Sequence, residues 1–122
     1  MSTKQPFNAE LYSRAQAGPL DAVLFSRVAK AETGRVNSAA KSRGITGAAL
    51  VRLVLLDWVE KNKNTKTRKV ALPHDIKLDT ALFVRINKEL FDQVNKTAKQ
   101  REITTTDLIR TAVVEWLERQ GE

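Results

Sequence analysis

Between Thr80 and Leu117 the apolar positions change period twice. Leu82, Val84 and Ile86 alternate with Ala81, Phe83 and Arg85, the two-residue repeat of a strand with one face buried. At Asn87 the period lengthens. Asn87 supplies a side-chain acceptor for the next amides, and Lys88 and Glu89 open a helix in which Leu90, Phe91, Val94 and Ala98 share one stripe as far as about Arg101. Thr104 then offers a second cap, and Leu108, Ile109, Ala112, Val113, Trp116 and Leu117 form a broad apolar stripe. The predicted order is strand, helix, helix.

The same order occurs earlier in the chain. Laid without a gap on 78–120, residues 20–62 match at 17 of 43 positions, from Leu20/Leu78 and Phe25/Phe83 through Arg52/Arg110 to Trp58/Trp116. The segments are therefore two copies of one unit. In the first copy Leu24, Ser26 and Val28 take the buried strand positions and Ala29 replaces the capping Asn. Leu50, Val51, Val54, Leu55, Trp58 and Val59 repeat the long ladder. Its first helix carries Glu32, Thr33 and Gly34 where the second copy has Leu90, Phe91 and Asp92, so it is expected to be shorter or less stable. Gly44 suits a left-handed turn between the helices.

A lone strand lacks both a hydrogen-bonding partner and a cover for its buried face. Both needs are met if strands 22–28 and 80–86 pair antiparallel beneath four helices. Connection 63–79, 17 residues long, spans up to ~55–60 Å when extended, enough to cross a domain of this size. The expected fold is mainly α: one intertwined domain with pseudo-twofold symmetry. It comprises a tail (1–19), a first unit (20–62), a basic linker (63–77) and a second unit (78–120). Segment 8–16, with Leu11 and Tyr12, is either a short helix on the core or a free arm.

This arrangement resembles the ribbon-helix-helix (MetJ/Arc) family of DNA-binding proteins. The likeness rests on the alternating strand, the Asn87 cap, the stretch from Ala98 to Thr104 and the Leu108/Ile109 ladder. Most members of that family build the fold from two identical chains; this chain resembles the tandem form, including a member that serves plasmid conjugation. The resemblance implies that the exposed ribbon face enters the DNA major groove, where base edges carry the fuller code. The base-contacting positions would then be Val23, Phe25 and Arg27 on one strand and Ala81, Phe83 and Arg85 on the other. It also implies phosphate anchors at the start of each second helix, at Thr46 with Gly47 and at Thr104 with Thr105 and Thr106. Free helix N-terminal amides suit an anion independently of the family. Family members often place polar side chains at all three groove positions. Here each strand offers one Arg, which implies modest sequence discrimination and a nearly palindromic site.

Charge agrees with this expectation and places it unevenly. The 122 residues carry a net charge of +7, of which the first copy holds +3, the second none and segment 63–77 holds +4. Lys63, Lys66, Arg68 and Lys69 are candidate phosphate contacts, with a solvated connector as the alternative. The absence of cysteine removes disulfides, thiolate metal sites and thiol nucleophiles, and the single histidine, His74, is an ordinary loop residue. No nucleophile–base pair, phosphate loop or metal cluster is apparent, so neither an enzyme nor a cofactor is expected. The longest apolar run, 48–59, contains Arg52 and Asp57, and the first ten residues lack a secretory stretch. A cytoplasmic protein in a bacterial, plasmid or phage setting is expected, with double-stranded DNA as partner and self-association of pseudo-dimers as a further prospect.

Three structural readings stand beside these. Trp58 and Trp116 sit on the ladders as core residues. Asp57, Glu60, Glu115 and Glu118 form a solvated face. Phe25 and Phe83 face outward unless the strand slips by one residue, which would bury Arg27 and Arg85 instead. An outward Phe pair also suits a protein-binding patch, so an interaction module such as an antitoxin is the rival to a repressor or DNA-processing factor.

Overall fold

The structure, a computed structural model, describes residues 9–62 and 78–120. It is mainly helical, with five helices and one two-stranded antiparallel sheet. Along the chain run α1 (Ala9–Gln16), β1 (Ala22–Val28), α2 (Lys30–Ser42), α3 (Gly47–Asn62), β2 (Thr80–Ile86), α4 (Lys88–Gln100) and α5 (Thr105–Gln120). The strands pair with Phe25 opposite Phe83, Val23 opposite Arg85 and Arg27 opposite Ala81. This is the unslipped register. Leu24, Ser26, Val28, Val84 and Ile86 are buried, Leu82 is half-buried, and the alternate residues face outward.

The core lies beneath the ribbon and crosses between the copies. Strand β1 packs on α5 and β2 on α3, while α2 meets α5 and α4 meets α3. Leu50, Leu53, Leu55 and Val59 of α3 join Leu108, Ile109 and Leu117 of α5 in one buried cluster. Each such side chain contributes about 1.5–3 kcal/mol by leaving water. Trp58 and Trp116 are buried in this cluster, as their ladder positions predict. Each indole also stacks against an arginine of the other copy. Arg101 lies 5.0 Å from the Trp58 ring centroid and Arg43 lies 4.9 Å from that of Trp116.

Local signals explain the helix ends. Asn87 Oδ1 accepts from the Leu90 amide at 2.7 Å. Ala29 has no such oxygen, and Glu32 compensates by accepting from the Ala29 amide at 3.1 Å. Of the two expectations for the first helix, shorter or less stable, the shorter length is not found, because α2 and α4 each span 13 residues. Gly34 points to open space and breaks no contact, and Glu32 secures the start of α2, so the glycine does not truncate it. Both helices end in a left-handed residue, Gly44 at φ 71° and Glu102 at φ 58°. Beyond each turn Ile45 donates to Ala40 O and Ile103 to Ala98 O, both at 3.0 Å.

Residues 9–16 form a docked helix, which resolves the open alternative for that segment. Helix α1 packs on α3, with Ala15 fully buried and Leu11 and Tyr12 against the core. Among the described residues no helix is long and apolar enough to cross a membrane.

Candidate functional site

The ribbon's outer face carries the six side chains singled out in the strands. Phe25 and Phe83 occupy its centre, 49% and 65% exposed, with ring centroids 4.9 Å apart at a 52° tilt. Such tilted pairs gain from the quadrupoles of the rings. Val23, 47% exposed, lies beside Arg85 across the ladder, and Ala81 lies beside Arg27. Both arginines are exposed. Four residues separate Arg27 from Val23 along β1, so the two guanidinium groups leave opposite ends of the face, about 13 Å apart along the ribbon. The arrangement is two point charges flanking an apolar centre.

The helix starts lie where the sequence places them. Thr46 caps α3 by accepting from the Ala49 amide at 3.1 Å, and Thr104 caps α5 by accepting from the Asp107 amide at 3.0 Å. Helix geometry leaves the amides of Gly47 and Ala48, and of Thr105 and Thr106, without acceptors inside their helices. The two ends differ in charge, since Asp107 lies in the first turn of α5 and no acid lies in that of α3. An anion is thus better accommodated at Gly47 than at Thr105. A Cβ at Gly47 would lie 2.5 Å from Asn37 Oδ1, so a larger residue there requires the end of that side chain to move. Thr105 instead places its hydroxyl 3.1 Å from Asn95 Oδ1. Lys63, Lys66, Arg68 and Lys69 lie outside the described residues.

The residues that hold the face in place were not singled out from sequence. Arg52 donates from Nε to the carbonyl of Arg85 at 2.6 Å and from a terminal nitrogen to Gln16 Oε1 at 2.8 Å. It therefore ties β2 at Arg85 to α3 and α1. Gln16 in turn donates to Ala49 O at 2.9 Å. The counterpart Arg110, its side chain 2% exposed, grips Glu32 in a two-point pair at 3.2 and 3.0 Å. The available signal was an arginine at the same place in both apolar ladders. Three of the four carboxylates read as a solvated face also have partners, which corrects that reading. Asp57 pairs with Lys61 and Arg119, each at 3.2 Å, and Glu115 accepts from Trp58 Nε1 at 3.1 Å. Glu60 pairs with Arg14, whose guanidinium it holds still more firmly protonated by hydrogen bond and charge.

Among the described residues no cluster of His, Asp or Glu could hold a metal ion. No family model, curated protein or solved structure matches the chain.

Proposed function

We propose that the protein is a single-chain DNA-binding protein of ribbon-helix-helix type. In this reading segments 20–62 and 78–120 are two repeats of one domain, related by a pseudo-twofold axis through the Phe25–Phe83 pair and joined by the basic linker 63–77. The symmetric register about that pair and the reciprocal Arg–Trp contacts support it. The ribbon enters the major groove, Arg27 and Arg85 each bridge a guanine edge, and Phe25, Phe83, Val23 and Ala81 meet thymine methyls. Backbone phosphates sit at Thr46 and Gly47, at Thr104, Thr105 and Thr106, and along Lys63, Lys66, Arg68 and Lys69.

The biological role on this reading is a cytoplasmic repressor of a bacterial, plasmid or phage operon, or an accessory factor in plasmid DNA processing. It involves neither an enzyme activity nor a cofactor. The observation that carries the reading is the outward ribbon face with an arginine at each end and free helix N-termini flanking the fold. A second reading, a protein-interaction module such as an antitoxin, draws on the exposed Val23, Phe25 and Phe83 at the middle of that face.

Titration of fluorescent duplexes, random and from the protein's own upstream region, at two salt concentrations separates the two. The DNA reading expects affinity that falls steeply with salt, with a preference for the upstream duplex if the protein is an autoregulating repressor. Equal binding to both duplexes favours DNA processing. No binding at low salt removes DNA and leaves the protein-interaction reading.

A further inference from the structure

The two copies differ in bulk beside α2. A mainly apolar recess of about 150 Å³ opens between α2, β2 and the start of α3, with Val28, Thr33, Val36, Gly47, Val51 and Ile109 in its wall. At the matching positions of the second copy Val28 becomes Ile86, Thr33 becomes Phe91 and Gly47 becomes Thr105, while Val51 and Ile109 exchange places. The first three changes add volume, and Thr33 to Phe91 adds a ring. Phe91 is packed against the core in its own copy. The first copy therefore leaves open what the second fills with aromatic carbon. Apolar cavities of about 150 Å³ are able to accept a single benzene ring.

The polar groups around the recess narrow the occupant further. Thr33 Oγ1 is buried and has no hydrogen-bond partner, an arrangement that leaves it ready for a ligand atom. Glu32 and Arg110 also line the recess but satisfy each other, and Glu32 additionally accepts from the Ala29 amide. They leave no uncompensated charge for an ionic ligand to match. We propose that the recess binds a small neutral aromatic molecule, one ring system bearing a single hydrogen-bonding group, as in phenol. The ring stands in for the side chain that Phe91 supplies in the second copy, and its polar group meets Thr33 Oγ1. The proposal is independent of whether the ribbon binds DNA.

Phenol and toluene are the probes, titrated into the full chain while amide shifts in two-dimensional NMR spectra are followed. Saturable shifts at residues 33, 36, 47 and 83 are expected for both, with phenol bound about fivefold more tightly through one extra hydrogen bond. Thr33→Phe fills the recess and is expected to abolish both titrations while raising the melting temperature. Thr33→Val keeps the shape, removes the hydroxyl and is expected to retain toluene while losing phenol's advantage. Non-saturable shifts with both probes, or undiminished binding in folded Thr33→Phe, would overturn the proposal. Should Thr33→Phe not fold, unchanged phenol preference in Thr33→Val overturns it equally.

Discussion

Arg52 and Arg110 occupy the same place in the two long helices and end in different company. Arg110 finds Glu32 of α2 and forms a buried two-point ion pair. The residue matching Glu32 in α4 is Leu90, which offers Arg52 no charge. Arg52 turns instead to Gln16 of α1 and to the carbonyl of Arg85. Helix α1 lies outside the duplicated unit, and its seat is shaped for it. Ala49, Leu53 and Leu56 stand on α3 where α5 has Asp107, Thr111 and Val114. One arginine thus bridges the two units through an ion pair, and the other is held by a helix from outside them. An arginine retained in both copies finds a partner in both, but the partner need not come from the same position.

The largest expected effects test whether the halves share one core. Trp58→Ala and Trp116→Ala should each cost about 3–5 kcal/mol in chemical denaturation, in a single transition for the whole chain. Two separate transitions would show that the copies fold independently. Next in size is the contrast between the arginines. Arg110→Ala strands Glu32, 12% exposed, and should cost about 3 kcal/mol, most of it recovered in an Arg110→Met/Glu32→Leu double variant. Arg52→Ala leaves no buried charge behind and should cost about 1.5 kcal/mol.

Smaller effects sharpen the comparison at the turns. Gly44→Ala should lose about 1 kcal/mol, since φ 71° opposes a Cβ, whereas Glu102→Gly should be neutral or gain up to about 1 kcal/mol. Equal effects at the two positions would contradict the assigned backbone. Gln16→Ala is expected to cost about 1 kcal/mol in the parent and less in Arg52→Ala, where only its bond to Ala49 O is left to lose, a coupling that a double-mutant cycle measures.

The strands, four of the helices and the outward set of ribbon residues were legible because period-two and period-3.6 patterns meet at clear caps such as Asn87 and Thr104. The duplication sharpened them, since Leu24 and Leu82 hold the same inward position in the two strands. Helix α1 remained ambiguous from sequence because eight residues with one polar face fold only against a seat, and the seat belongs to α3. That α2 matches α4 in length was not legible, because Gly34 was weighed without the tertiary pairing of Glu32. The ion pairs of Asp57 and Glu60 and the indole bond of Glu115 depend on which helix lies opposite, and sequence periodicity carries no such information. Arg43 and Arg101, identical at matching positions, were visible as a pair but not as covers for the indoles of the other copy.

The central claim is that the ribbon's outer face, flanked by the two helix starts, is the DNA-contacting surface. Amide and Phe side-chain NMR shifts on adding a short duplex at low salt test it most directly. The account predicts the largest changes at Phe25, Arg27, Phe83 and Arg85, smaller ones at Gly47 and Thr105, and little along the outward face of α1. Changes that avoid the ribbon, or none at all, would contradict it.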